Sequence, residues 1–262
     1  MPDLVRNTAV LRKRLRRLLQ HRREWSEFST ILLPQLKQLG SLALIGGAVR
    51  DVARAGVKSF NSDLDFVLYD GDAHAFRTLM HSLGAKPNRF GGFSIRYHRW
   101  RVDIWALEDT WARTAGLRQV NRLPDLLDCT FFDWDAILFS LETGAVLTKP
   151  AYFTAIEARV LDVNLQQNPN PTGSLIRAIR RGALWKVRFG ATLSAFVRSQ
   201  LDQESWDALV ALDTSAFAYP VLRYCDPTRL HQRLETEFVF EQRKVTEPFG
   251  PLQSQLELPL AS

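Results

Sequence analysis

Four apolar residues, Leu42-Ala43-Leu44-Ile45, run directly into Gly46-Gly47, and residues 48–55 then carry a helical pattern. This constrains the fold more than any other stretch. A short apolar run bounded by glycines reads as a buried strand, and a helix that follows it within two residues must fold back onto the sheet. A second apolar run, Leu64 to Tyr69, follows the turn-forming Asn61-Ser62 and predicts a second strand. Residues 72–84 predict a helix closed by Gly84, and Phe93 to Tyr97 with Arg101 to Leu107 predict a hairpin. The fold class expected is therefore α/β (α+β), a small mixed sheet followed by a mainly helical part.

The helical part begins after about residue 110, with segments near 133–141, 151–161, 173–189, 191–201 and 204–211. Upstream of the sheet, residues 4–38 predict a helix whose Leu11, Leu15, Leu18 and Leu19 form one stripe. Its remaining surface is largely arginine and lysine, which suits either solvent or a phosphate backbone. Pro169, Pro171 and Gly173 mark a break. The expected organisation is a basic N-terminal helix over 1–40, a head over 41–150, a helical neck and body over 151–245, and a tail over 246–262.

Bulk properties exclude several classes. No run of eighteen apolar residues is present, so no membrane partner is expected. The basic N-terminus lacks the apolar core of a secretory signal. Cys129 and Cys225 stand far apart, and His74, His81 and His98 have no ligand spacing. A zinc site or disulfide framework is thus not indicated, and a cytoplasmic location is expected. Ser62 and Ser94 have no evident histidine base. The net charge of +6 favours a polyanionic partner, nucleic acid being the commonest.

The chemistry-bearing residues cluster around the first two strands. Residues two apart on a strand share a face, so Asp63 and Asp65 point together while Leu64 and Phe66 point into the core. Paired carboxylates repel unless a cation lies between them. Asp103, set between Val102 and Ile104, carries the same cost unless it is paired or binds metal. Gly46 and Gly47 let a backbone approach a triphosphate at a helix N-terminus, and Arg50 on the first turn reaches a phosphate or a nearby carboxylate. Transfer of a nucleotide needs charge neutralisation and alignment, which two Mg²⁺ ions about 3.5–4 Å apart supply.

In order along the chain, Gly46-Gly47-Ala48-Val49-Arg50-Asp51 and Asp63-Leu64-Asp65 resemble the GGxVRD and DxD motifs of the DNA polymerase beta-like nucleotidyltransferase superfamily. The resemblance is to its poly(A) polymerase and CCA-adding tRNA nucleotidyltransferase (class II) branch. It implies Asp63 and Asp65 as Mg²⁺ ligands, with Asp103 completing the set, and Gly46, Gly47 and Arg50 around an NTP, ATP being favoured. The segment Leu175 to Arg181 resembles the family's basic neck helix, which assigns Arg177 and Arg180 to the nucleotide or the acceptor strand. Phe131 to Ile137 is similar to the DFTINA segment, with Asp135 where the family has asparagine, and no good copy of the base-selecting EDxxR motif is found.

The function expected is transfer of NMP from an NTP to an RNA 3′ end, tRNA above all. A protein or small-molecule acceptor, or an idle nucleic-acid-binding module, stays open as an alternative. Gln255-Leu256-Glu257-Leu258-Pro259-Leu260 resembles the peptide by which bacterial proteins dock onto the DNA polymerase sliding clamp, which would be a further partner.

Overall fold

The computed structural model describes residues 4–21, 28–59, 62–88, 90–97, 100–240 and 245–246. Two compact units divide the chain, Met1–Glu157 and Ala158–Ser262. The first contains α1 (Thr8–His21), α2 (Leu33–Leu39), β1 (Ser41–Ile45), α3 (Gly47–Ala55), β2 (Leu64–Tyr69) and α4 (Ala73–Ser82). It continues through β3 (Lys86–Pro87), β4 (Phe93–Tyr97), β5 (Trp100–Ala106), β6 (Ile137–Ser140), β7 (Val146–Thr148) and α5 (Tyr152–Glu157).

The seven strands form one sheet in the order β3-β4-β5-β2-β1-β6-β7. β1 pairs antiparallel with both β2 and β6, and β2 pairs parallel with β5. The sheet is therefore mixed. Its central strands are buried on both faces. Leu42, Leu44, Leu64, Phe66 and Leu68 make up one face of β1 and β2, where Phe28 stacks on Phe66 with ring centroids 5.1 Å apart. The other face carries Ala43, Ile45, Val67 and Tyr69, which pack with Leu107, Val120, Leu123, Leu126 and Leu138. Each valine, leucine, isoleucine or phenylalanine among them, fully buried, contributes about 1.5–3 kcal/mol relative to exposure.

Some expected elements differ. The helix expected near 133–141 is instead a 3₁₀ turn, Asp133–Asp135, followed by β6. Ile137, Leu138 and Phe139 are buried between β1 and β7, and a run this short carries no periodicity that separates strand from helix. The helix expected over 4–38 is realised as α1 and α2, with residues 22–27 outside the described residues. The helix expected over 72–84 forms as α4. Asp72 caps it by accepting from the Ala75 N–H at 2.9 Å, and Gly84 follows at φ 65°.

The second unit contains β8 (Val160–Leu161), α6 (Pro171–Trp185), β9 (Arg188–Gly190), α7 (Ala191–Leu201), α8 (Trp206–Ala216), α9 (Pro227–Phe240) and β10 (Val245–Thr246). β9 lies between β8 and β10, and α7 packs against α6 and α9. Among the described residues no helix is long and apolar enough to cross a membrane. The clamp-like peptide at 255–260 lies outside the described residues.

Candidate nucleotide and metal site

The site begins where β1 ends. Gly46 adopts φ 68° and ψ −123°, a conformation open to glycine and strained for other residues. Its N–H donates to Ile137 O at 3.1 Å and its carbonyl accepts from the Arg50 N–H at 2.8 Å, so the turn joins β6 to α3. A side chain on Gly47 would press on Ser62, whose Cβ would lie 3.2 Å away. The N-cap of α3 is Gly46, which has no side chain to cap it, and an uncapped helix N-terminus is a general anion-binding feature.

The acids enter from the neighbouring strands. Ile45 and Asp65 are partners across β1 and β2, and Asp65 and Asp103 are partners across β2 and β5. The double-glycine turn and Asp63-Asp65 therefore share one end of the sheet. Asp65 and Asp103 lie on the face that carries Ile45, Val67 and Leu138. Asp63 is exposed just before β2, and Asp65 and Asp103 are half-buried.

Burial pushes the Asp65 carboxyl up to about 7, reinforced by Asp103, Asp63 and Asp135 and opposed by Arg50. Asp63, although its side chain reaches solvent, is also raised, first by partial desolvation from the surrounding protein, with Arg101 pulling the other way. Asp103 is an ion-paired residue: the Arg101 guanidinium reaches it at 3.1 Å and the Ser94 hydroxyl donates to it. The cost foreseen for an acid in this strand is thus offset by Arg101, two residues upstream on the same face. Among the described residues no group of three or more acidic, histidine or cysteine side chains is placed to hold a metal ion, so the expected trio Asp63, Asp65 and Asp103 is not gathered as one ligand set.

Arg50 is buried beside Asp51. Its Nε and Nη2 donate to Asp51 Oδ1 at 3.0 and 2.9 Å, and Nη1 donates to Asp135. Ser62 Oγ donates to the other Asp51 oxygen and accepts from Arg50 Nη2 at 3.3 Å. Burial alone would lower the Arg50 pKa, but Asp51 and Asp135 outweigh it and hold the guanidinium firmly charged. Of the two partners foreseen for Arg50, phosphate or carboxylate, the structure shows carboxylates. Asp135 is held in turn by the 3₁₀ turn, where Tyr152 Oη donates to Trp134 O at 2.9 Å. Trp134 is 2% exposed and fills the core.

Sequence reasoning gives no site role to Ser94 or Arg101, takes Ser62 only as a turn residue and Asp51 only as the end of a motif, and takes Asp135 only as a departure from one. Arg101 is open to inference from its strand spacing. Asp135 is not, since 85 positions separate it from Arg50. Arg177 and Arg180 lie on α6 in the second unit. Arg180 Nη1 donates to Asp213 Oδ1 at 2.6 Å and to Tyr219 O at 2.8 Å, and its guanidinium lies 3.8 Å from the Phe217 ring centroid. Arg177 Nη2 donates to Ser174 Oγ at 2.9 Å.

No family profile matches the chain, and no curated protein matches it in sequence. Solved structures do. A tRNA nucleotidyltransferase complexed with a primer tRNA and an incoming ATP analogue aligns over 78% of this chain and 60% of its own, at 16% identity and a TM-score of 0.51. A tRNA-processing enzyme complex aligns over 79% of this chain and 57% of its own, at 19% identity and a TM-score of 0.53. The Thermotoga maritima CCA-adding enzyme, complexed with tRNA, aligns over 84% and 53%, at 18% identity and a TM-score of 0.52. The chain thus spans a little over half the length of these proteins. At such identity the likeness establishes a shared fold alone, the one these tRNA nucleotidyltransferase and CCA-adding enzyme structures have. It is the fold that GGAVRD and DLD implied.

Proposed function

We propose that this protein is a nucleotidyltransferase that moves NMP from an NTP, ATP above all, to the 3′ end of an RNA, with tRNA the favoured acceptor. The observation that carries the reading is the meeting of Asp65 and Asp103 on paired strands, at the sheet end where Gly46-Gly47 opens α3. Neighbours of the same fold were crystallised with tRNA or an ATP analogue, which supports the same substrates here.

Asp63 and Asp65 offer the hard oxygen ligands that Mg²⁺ takes, often one or two carboxylates completed by water and substrate phosphates. Asp63 and Asp65 would hold it. When bound, it would neutralise the triphosphate and lower the pKa of the attacking hydroxyl. The N–H groups that open α3 face the phosphates, and Gly46 and Gly47 give them room. Asp103, oriented by Ser94 and Arg101, completes the acidic face on the acceptor side. Arg50 acts one step back: by tying Asp51 on α3 to Asp135 at the end of the 3₁₀ turn, it holds the phosphate-facing turn against the sheet. Arg177 and Arg180, on α6 of the second unit, are assigned to the phosphates or the RNA by the neck-helix resemblance alone.

The test is incubation with Mg²⁺, total RNA and each labelled NTP in turn, beside an Asp63→Ala/Asp65→Ala variant. Label on RNA that vanishes in the variant is the expected result. Label on a protein or small molecule would move the acceptor, and no label on anything would leave an idle binding module.

A further inference from the structure

We infer that the outer face of α1 is a docking surface for the phosphate backbone of the acceptor RNA; in naming RNA, this rests on the function proposed above. α1 divides sharply. Leu11, Leu15 and Leu18 are at most 1% exposed, and the helix packs on α3 and β7. The opposite face presents Arg12, Lys13, Arg16 and Arg17, which with Ala9 and Gln20 line one shallow concavity.

The charge pattern is not that of an ordinary solvated helix. Thr8–His21 contains no acidic residue. Arg12 and Arg16, and Lys13 and Arg17, stand four apart, so like charges meet on one face and work against the helix. Several other basic residues of this unit have acidic partners, Lys37 with Glu142 at 3.1 Å, Arg77 with Glu108 at 2.6 Å and Lys149 with Asp128 at 2.6 Å, and those isolated among the described residues, such as Lys58 and Lys86, are not gathered on one helix face as these four are. Among the described residues, Arg12, Lys13, Arg16 and Arg17 have no such partner. A polyanion would supply one to all four.

Two further features favour RNA. The apolar stripe of α1 is used up in packing, so the helix has no apolar face to insert into a lipid surface. The charges are also carried on a fixed element. Arg16 lies against Gly144 in the β6–β7 turn, where any side chain would collide with its guanidinium. α1 rests on α3, the helix that opens at Gly47, so the basic strip and the nucleotide turn belong to one packed unit.

The experiment is fluorescence anisotropy of the full chain with a labelled single-stranded RNA over a range of KCl concentrations. The variant is Arg12→Gln/Lys13→Gln/Arg16→Gln/Arg17→Gln. A charge-matched control is Lys58→Gln/Lys86→Gln/Arg113→Gln/Arg118→Gln, on exposed positions elsewhere in the unit. Each phosphate that the protein ceases to neutralise reduces the slope of log affinity against log salt by about 0.7, so the α1 variant is expected to lose about 2–3 and to bind at least about tenfold more weakly. The control should keep most of both. Equal losses in the two variants, an unchanged α1 variant, or binding to anionic phosphatidylserine vesicles in place of RNA would overturn the inference. The double variant Arg12→Gln/Arg16→Gln, expected to lose about half the slope, replaces the fourfold one if that does not fold. RNA binding that depends on α1 without nucleotide transfer would sink the proposed activity and leave this surface standing. Transfer to RNA with affinity indifferent to α1 would do the reverse.

Discussion

Arg50 and Asp65 bear opposite electrostatic burdens at the same end of the sheet. The Arg50 guanidinium is compensated by two carboxylates, and removing it would strand Asp51 and Asp135. Arg50→Ala is therefore expected to cost about 3–5 kcal/mol in chemical denaturation, against about 1 kcal/mol for Asp135→Asn, which keeps an acceptor. A cost for Arg50→Ala below that of Asp135→Asn would show that the guanidinium does not hold this turn. Asp65 is the less compensated of the two. Its carboxyl rises from 3.8 to about 7 on folding, so between these values the native state binds more protons than the unfolded one. Stability without metal is then expected to fall as pH rises through that window, and the loss is complete above about pH 7. Asp65→Asn removes the charge. It should flatten the profile and raise the melting temperature at pH 8 by about 2–6 °C. A wild-type profile that is flat from pH 4 to 7 would refute this.

At the scale of elements, the turn from β1 to α3 carries the argument. Gly46 sits at φ 68° with ψ −123°, where a Cβ has no relaxed position. Gly46→Ala should cost about 1–3 kcal/mol and weaken nucleotide binding more than stability, because it moves the N–H groups of α3. Equal nucleotide affinity in a destabilised variant would separate the turn from the ligand. This turn is legible in the sequence because its signals are local: an apolar run, two glycines and an amphipathic segment follow one another without interruption. The hairpin of β4 and β5 is legible for the same reason. β6 is not. Its identity as a strand comes from β1 and β7 on either side of it, and β1 is far from it in sequence. The site divides in the same way. That Asp63 and Asp65 share a face follows from strand alternation, whereas the pairing of Asp65 with Asp103 comes from the β2–β5 contact, which no local signal announces. That Arg50 faces two carboxylates depends on Asp135, which only the sheet brings near.

The whole molecule joins a unit that carries the acids and the glycine turn to one that carries Arg177 and Arg180. A ligand that binds only the native state stabilises what it touches, by about 2.7 kcal/mol at a hundred times its Kd. Thermal unfolding with Mg²⁺ and ATP should therefore raise the transition of the first unit by about 5–10 °C. Neither Mg²⁺ alone nor ATP with a chelator should match this, because the carboxylates and the phosphates repel without the cation between them. In Asp63→Ala/Asp65→Ala the shift should disappear. If the units melt in separate steps, the second step decides what α6 does. A shift there too, lost in Arg177→Gln/Arg180→Gln, would mean that the arginines hold the nucleotide. That variant needs its own melting baseline, since Arg180 is bonded to the fully buried Asp213. A second step that does not move with ATP, while RNA affinity drops in the variant, would give α6 to the acceptor strand instead.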